Sequence, residues 1–197
     1  MCGIAGIVDG EHRMKYRNQQ AVEEMLDTMK RRGPDQQNIY TDEAVTLLHA
    51  RLSVMDLQHG KQPMQLKSDP RYVMVYNGEL YNTEELRREL QKKGYAFQET
   101  SDTEVLLQAF IEWKETVVER LNGIFAFAVW DKKAHRLFMA RDRMGVKPLF
   151  YTLQEGAMLF ASEMKALLAH PQIPAILHAD GNHAAGSGQN TGLWCIS

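Results

Sequence analysis

Residues 1–8 read MCGIAGIV, a run of small and apolar side chains that is typical of a buried strand. Cys2 directly follows the initiator methionine and is small enough for Met1 to be removed, so the mature chain can begin with a cysteine. Such a residue carries both a thiol, with a pKa near ~8.5, and an α-amine, with a pKa near ~7.7–8.0. The amine can then accept the thiol proton, which predicts an N-terminal nucleophile. The alternative interpretation is a buried structural cysteine at the end of a strand.

The amino-acid composition is that of a globular protein and excludes several other classes. The 197 residues are 44% hydrophobic and 24% charged, as expected for a globular domain with a full core. The net charge of -2 and the dispersed basic residues argue against nucleic acid or an anionic membrane as partner. Two cysteines exclude a disulfide scaffold, and the seven histidines show no metal-ligand spacing with them. Without a transmembrane run or a signal peptide, we expect a cytoplasmic protein that binds no metal.

Periodicity separates helical from strand-like segments. Apolar residues at i, i+3, i+4 and i+7 predict a helix over 21–31, which Gly33-Pro34 ends. Asn82 and Ser101, each with a glutamate three residues later, predict the starts of two further helices. A short helix is predicted over 164–169. Strands are predicted over residues 2–8, 46–48, 52–55, 72–76, 124–130, 136–141, 149–153 and 158–161.

The order of these segments predicts the fold class. Helices fall mainly in the first half of the chain, and hairpin-linked strands fall in the second half. This segregation favours an α+β fold with antiparallel sheets over alternating βαβ units. The residues after about 178 are rich in Gly, Asn, Ser and His and lack an apolar period, which predicts a flexible tail.

Two arginine-containing motifs are candidate site elements. In Arg32-Gly33-Pro34-Asp35 a helix stop explains the glycine and the proline but not the flanking charges, so structural and functional interpretations have equal weight. Arg51 lies between apolar residues on a predicted strand, where a guanidinium needs an anion. That anion is either an internal carboxylate or the carboxylate of a ligand, which arginine binds with two hydrogen bonds.

Two further motifs suggest an oxyanion hole and an ammonium site. Asn77-Gly78-Glu79 follows the strand over 72–76 and, taken alone, predicts a hairpin turn. The functional alternative is an oxyanion hole made by the side-chain amide of Asn77 and the backbone N–H of Gly78. Ser101 is a better helix cap than Asp102, which leaves the Asp102 carboxylate to meet an ammonium group.

The motifs together resemble one family. The chain is similar to the N-terminal glutaminase domain of glutamine-hydrolysing asparagine synthetases, which are class II glutamine amidotransferases. The resemblance covers residues 2–170 and rests on MCGIAGIV, RRGPD (31–35), HARLSVMDL (49–57), QPM (62–64), YNGELYN (76–82), SDTEVLL (101–107), LNGIFAFAVWD (121–131), ARDRMGVKPLFY (140–151) and ASEMKAL (161–167).

The resemblance implies a fold, a reaction and a set of site residues. The fold is the four-layer αββα N-terminal-nucleophile hydrolase sandwich with antiparallel sheets. The reaction is hydrolysis of glutamine to glutamate and ammonia through a γ-glutamyl thioester on Cys2, the ammonia-supplying half of asparagine synthesis from aspartate and ATP. Asn77 and Gly78 form the oxyanion hole, Arg51 holds the substrate α-carboxylate, and Asp102 and Glu79 take the α-amino group. The implied substrate-binding residues are Arg51, Leu52, Ser53, Val54, Met55, Asn77, Gly78, Glu79 and Asp102.

The resemblance also implies a domain plan and partners. Residues 2–175 would form the amidotransferase domain and 176–197 an atypical tail, while the family's ATP-binding synthetase domain, with its SGGxDS-type loop, is absent from this sequence. L-glutamine is the expected substrate and a synthetase domain or subunit the expected partner, and a homodimer stays open. Glutamine hydrolysis is expected to need no cofactor, since ATP and Mg²⁺ act in the synthetase domain.

Two other hypotheses belong to different classes. The first is a binding module without catalytic activity, in which Met1 is retained and blocks the amine of Cys2. The second is a redox pair between Cys2 and Cys195.

Overall fold

Two five-stranded antiparallel sheets organise the described residues, which are 1–9, 16–52 and 60–175 and the backbone of 193–196 in the computed structural model. The first sheet contains, in spatial order, β2 (Gln36–Thr41), β3 (Val45–Arg51), β1 (Gly3–Asp9), β9 (Ala157–Ala161) and β8 (Phe150–Gln154). The second contains β10 (Leu193–Ile196), β7 (Arg136–Arg141), β6 (Gly123–Asp131), β5 (Tyr72–Leu80) and β4 (Met64–Gln65).

Helices cover the outer face of each sheet. They are α1 (Gln19–Thr28), α2 (Thr83–Lys92), α3 (Asp102–Trp113) and α4 (Met164–Leu168), and a 3₁₀ helix (Lys114–Glu119) continues α3. Side chains of α1 and α4 pack on the first sheet in one core cluster, and those of α2 and α3 pack on the second sheet in another. A third cluster joins the inner faces of the two sheets. The layers therefore run helix, sheet, sheet, helix, and the predicted four-layer α+β architecture is confirmed.

Alternation along the strands directs the candidate site residues inward. In β1, Ile4 belongs to the core between the sheets whereas Ala5 packs toward the first helical layer. Because successive side chains point to opposite faces, Cys2 shares the inner face with Ile4. In β5, Val75 belongs to the same inner core, so Asn77 also lies on the inner face.

The predicted turn at Asn77-Gly78 is wrong. Strand β5 continues through both residues to Leu80, and they pair with Ala126 and Phe125 of β6. Gly78 permits this pairing because a Cβ there would lie 2.5 Å from the Ile124 carbonyl oxygen. The dipeptide thus lets two backbones approach closely inside a sheet rather than reverse the chain.

The predicted first residues of the helices are confirmed more often than the predicted capping hydrogen bonds. Ser101 caps α3 as predicted, since its side chain accepts from the Glu104 N–H at 3.3 Å. Helix α2 begins where predicted, but the Asn82 side chain makes no capping bond. It accepts instead from the Asn122 N–H at 3.0 Å and donates to the Arg120 carbonyl at 2.8 Å, so tertiary contacts replace the predicted cap.

Other elements differ from the prediction in extent. Helix α1 ends at Thr28 rather than near residue 31. Strand β2 was not predicted, because its sequence QQNIYT has no apolar run and its side chains alternate between half-buried and exposed positions. Of the strand predicted over 52–55, Leu52 is not in a strand and 53–55 lie outside the described residues. In the predicted tail, residues 193–196 form β10, which pairs with β7.

The fully buried His49 of β3 gives the fold a pH dependence. Burial, together with the nearby Arg51 charge, lowers its pKa to about 4, and the Tyr76 backbone opposes part of this shift. In the unfolded chain its pKa is about 6.5. The unfolded state therefore binds more protons below pH 6.5. The contribution of a neutral His49 to stability is fully present above that pH and is lost as the pH falls toward 4.

We expect the free energy of unfolding to fall by about 2 kcal/mol between pH 7 and pH 5 through this group. Urea unfolding of the wild type and of His49→Gln at both pH values gives the decrease in the free energy of unfolding for each protein. The difference between the two decreases is the contribution of His49. His170, whose pKa burial also lowers, is present in both proteins and cancels. Equal losses in the two proteins would contradict this assignment.

Candidate active site

The thiol of Cys2 lies at the start of β1. The residue is half-buried and its thiol is free. The Sγ atom lies 3.8 Å from the Leu52 carbonyl oxygen, just beyond the end of β3. The Cys2 carbonyl accepts a 2.6 Å hydrogen bond from Arg32 Nε. The candidate nucleophile is therefore held through its backbone, and its side chain contacts the segment that follows Arg51.

A chain of contacts places the N-terminus and Gly78 at the same end of the two sheets. Lys147 Nζ lies 3.1 Å from the Met1 sulfur. The backbone N–H groups of Lys147 and Phe125 both donate to Asp142 Oδ2, at 3.0 Å and 3.3 Å. Phe125 in turn pairs with Gly78 in the β5–β6 register. The first residues of the chain thus lie near the far end of β5.

Asn77 presents a buried hydrogen-bond donor on this inner face. The residue is 3% exposed, and its Nδ2 has no hydrogen-bond partner among the described residues. A buried donor without a partner costs about 1–3 kcal/mol. Such a group is stabilised when a ligand oxygen accepts from it, as an oxyanion would.

Arg51 and Asp102 lie on either side of the same region. Arg51 ends β3 and is buried. A Cβ built on Gly60 would lie 3.9 Å from Arg51 Nη2 and 3.5 Å from the Ser101 Cβ, so Gly60 lies between the guanidinium and the start of α3. Asp102 is the first residue of that helix. A cation and a carboxylate so placed match the α-carboxylate and the α-amino group of an amino acid.

The Asp102 carboxylate is not left unpaired as the sequence suggested. Its Oδ2 accepts a 2.8 Å hydrogen bond from the Tyr76 hydroxyl. Burial raises the pKa of Asp102, and the bond from Tyr76 opposes that rise. Glu79, the second predicted partner of an ammonium group, is exposed, and its charge acts on the same tyrosine. Of the predicted pocket-lining residues, Leu52 is half-buried, whereas Ser53, Val54 and Met55 lie outside the described residues.

Arg32 has a role that the sequence left open. Besides the Cys2 carbonyl, it contacts Glu163 Oε1, 3.3 Å from Arg32 Nη1. The neighbouring Gly33 packs on the end of β3, since a Cβ there would lie 2.1 Å from the Ala50 carbonyl carbon. Arg32 thus holds the backbone of the candidate nucleophile, and Gly33 allows the close approach that brings Arg32 there.

Sequence reasoning did not single out three other residues near the site. Tyr76, Asp142 and Lys147 all belong to the motifs YNGELYN and ARDRMGVKPLFY. One contact of each residue joins distant parts of the chain, so local spacing does not reveal it. The available signal was the charge of Lys147 between Val146 and Pro148, because a charged group that becomes buried needs a partner.

The described part of the chain shows no cluster of three His, Cys, Asp or Glu side chains suited to hold a metal ion. Within it, no helix is long and apolar enough to cross a bilayer. Because the Cys2 thiol is free, the structure gives no support to a redox pair with Cys195, which lies in β10.

Comparison with known proteins identifies the family. The profile described as the glutamine amidotransferase domain matches residues 1–184. The chain belongs to this family. It is 52% identical over 183 residues to asparagine synthetase [glutamine-hydrolyzing] 3 of Bacillus subtilis, covering 92% of this chain and 30% of that protein. It is 37% identical over 169 residues to asparagine synthetase B of Escherichia coli, covering 85% and 30%. The chain thus spans about a third of the length of these curated relatives.

Solved structures support the fold. Glutamine phosphoribosylpyrophosphate amidotransferase from B. subtilis superposes with a TM-score of 0.67 at 21% identity, covering 85% of this chain and 43% of that one. A structure described as the allosteric regulatory enzyme of purine biosynthesis superposes with a TM-score of 0.64 at 22% identity. The predicted family and the predicted N-terminal-nucleophile fold are therefore confirmed.

The contact between Arg32 and the Cys2 carbonyl generates a prediction. Arg32→Ala removes the donor that holds the Cys2 carbonyl, and misplacing a reacting atom by about 1 Å can cost roughly a hundredfold in rate. We expect kcat for glutamate release from glutamine to fall about tenfold to a hundredfold, with a smaller change in KM. The exposed neighbour Arg31 offers a matched control, because Arg31→Ala removes the same charge without the contact. Equal kinetics for the two variants would exclude a positioning role for Arg32.

Proposed function

We propose that the chain hydrolyses the side-chain amide of glutamine to glutamate and ammonia, with Cys2 as the nucleophile after Met1 is removed. Membership of the glutamine amidotransferase family supports the reaction class. The observation that carries the assignment is the buried Asn77 amide without a partner on the inner face shared with Cys2. A protein keeps such a costly group where a ligand satisfies it.

Substrate binding follows from the charges around the site. Arg51 binds the α-carboxylate, because its planar guanidinium suits a carboxylate with two hydrogen bonds. Asp102 and Glu79 bind the α-amino group, and burial of Asp102 makes an ammonium partner especially favourable. The backbone at Leu52, directly after Arg51, lines the pocket beside Cys2, in accordance with the contact between Cys2 Sγ and the Leu52 carbonyl.

The reaction then proceeds in two steps. The Cys2 thiolate attacks the carboxamide carbon, and the oxygen that gains charge is stabilised by Asn77 Nδ2 and the Gly78 N–H. The bond to nitrogen breaks, ammonia leaves with a proton from the α-amine of Cys2, and a γ-glutamyl thioester remains. Water, deprotonated by the same amine, attacks the thioester and releases glutamate and the thiol.

The whole-protein role comes from the relatives. Their names describe asparagine synthetases that hydrolyse glutamine. By this relation the ammonia made here would serve asparagine synthesis from aspartate and ATP in a synthetase domain or partner subunit. Hydrolysis itself would need no cofactor, ATP and Mg²⁺ acting in that second domain. A cytoplasmic location and a homodimer accord with this role.

A second candidate is a glutamine-binding module that keeps Met1. The specific observation in its favour is the contact between the Met1 sulfur and Lys147 Nζ at 3.1 Å, which gives the initiator methionine a place in the fold. A retained Met1 converts the α-amine of Cys2 into an amide, which cannot act as a base. The N-terminal mass of the purified chain separates the two candidates.

Asn77→Ala tests the proposed activity. We expect it to lower kcat for glutamate release by roughly a hundred- to thousandfold, because one oxyanion-hole donor contributes about 3–4 kcal/mol to the barrier. The assay measures glutamate from glutamine on protein whose N-terminal mass is known, and Cys2→Ala is the inactive control. Unchanged activity in Cys2→Ala would contradict the proposal, as would inactivity of a wild type that begins with Cys2.

A further inference from the structure

Tyr76 links the two halves of the candidate site. It precedes Asn77 in β5, is 3% exposed, and its side chain packs in the core beneath α2 and α3. The strand therefore presents Asn77 to the inner face, near Cys2, and Tyr76 to the opposite face, near α3. The Tyr76 hydroxyl donates to Asp102 Oδ2 at 2.8 Å.

The same ring also borders the backbone of Gly78. A Cβ built on Gly78 would lie 2.7 Å from Tyr76 Cε2. One side chain thus contacts the strand that carries the proposed oxyanion hole and binds the carboxylate proposed to hold the substrate ammonium. The hydroxyl alone makes the second contact, so the two contacts are separable by substitution.

A second link between β5 and α3 does not involve the hydroxyl. The Tyr76 backbone N–H donates to Gln62 Oε1 at 2.5 Å, and Gln62 Nε2 lies 3.4 Å from Thr103 Oγ1. This bridge survives replacement of tyrosine by phenylalanine, as does the packing of the ring. The Tyr76 hydroxyl is therefore not needed to hold the strand against the helix.

We infer that Tyr76 is a positioning residue that gives the site its selectivity for an α-amino group, by orienting the Asp102 carboxylate toward the substrate. The inference rests on the proposed function and names the residue through which its site selects a substrate with an α-amino group. The hydroxyl binds Oδ2, and backbone groups of Leu80 and Thr103 also bind this carboxylate, so its orientation is fixed before an ammonium meets it. Burial, reinforced by the Asp102 charge, holds the pKa of Tyr76 well above its usual range, so the hydroxyl remains a donor at working pH.

The test compares two substrates in Tyr76→Phe. One is glutamine, and the other is 4-carbamoylbutanoate, which is glutamine without its α-amino group. We expect KM for glutamine to rise about tenfold to a hundredfold, the range for a hydrogen bond to a charged group, with kcat within about twofold. The value of kcat/KM for 4-carbamoylbutanoate is expected to stay unchanged, because no ammonium meets Asp102.

Tyr72→Phe is the matched control. Tyr72 lies on the same face of β5 and is 2% exposed, and its hydroxyl accepts from Lys114 Nζ at 2.9 Å instead of bonding Asp102. We expect this variant to keep the kinetics of the wild type with both substrates. Thermal unfolding of both variants records any general loss of stability.

Binding to inactive protein separates this inference from the proposed function. Calorimetry measures Kd for the same two compounds in Cys2→Ala and in the double variant that also carries Tyr76→Phe. If the second substitution weakens binding of glutamine but not of 4-carbamoylbutanoate, the inference is supported even if turnover is lost. Equal losses for both compounds, or no change for glutamine, would overturn it. Glutamine binding without turnover in a wild type that begins with Cys2 would overturn the proposed chemistry alone, whereas absence of glutamine binding would overturn both.

Discussion

The proposed mechanism depends on one constraint, which is that Cys2 must become the first residue of the chain through removal of Met1. Chain ends are poorly ordered unless other contacts hold them. Strand β1 lies in the middle of the first sheet, between β3 and β9. Ser162 binds Ile4 twice, with its N–H donating to the Ile4 carbonyl at 2.8 Å and its Oγ accepting from the Ile4 N–H at 3.0 Å. The Arg32 bond to the Cys2 carbonyl extends this anchoring to Cys2 itself.

The second sheet supplies the groups that face this anchored end. Strand β5 contributes residues from both of its faces, since Asn77 points between the sheets and Tyr76 points toward α3. The start of α3 then brings Asp102 to the tyrosine, while the end of β3 brings Arg51 alongside. The site is thus assembled where two sheets and one helix end together, with Cys2 and Arg51 from the first sheet, Asn77 from the second and Asp102 from α3. Packing between layers fixes the relative positions of groups that are far apart in sequence.

Much of this could be predicted from the sequence, because the signals were local. The apolar start, the Ser101 cap and the hairpin-linked strands gave the α+β class, and the motifs gave the family. The failures came where tertiary contacts override local preference. Asn77-Gly78 reads as a turn but lies inside β5, because Gly78 admits the Ile124 carbonyl. Asn82 reads as a cap but binds residues 120 and 122.

The site residues divide in the same way, into those that local sequence reveals and those whose roles depend on contacts with distant residues. Cys2 and Arg51 could be singled out by residue type and context, since a terminal thiol and a guanidinium among apolar residues both need an explanation. The roles of Arg32 and Tyr76 could not, because their partners, Cys2 and Asp102, lie 30 and 26 positions away in the chain. Only the folded layers bring these pairs into contact.

The central claim is that Cys2 becomes covalently acylated by glutamine, and acid quenching during turnover tests it most directly. Intact mass followed by peptide mapping of the quenched protein locates any adduct. The account predicts an increase of one glutamyl group, confined to an N-terminal peptide that begins with Cys2, and its disappearance once glutamine is consumed. An N-terminal peptide that remains unmodified while glutamate accumulates, or an adduct on another residue, would contradict it.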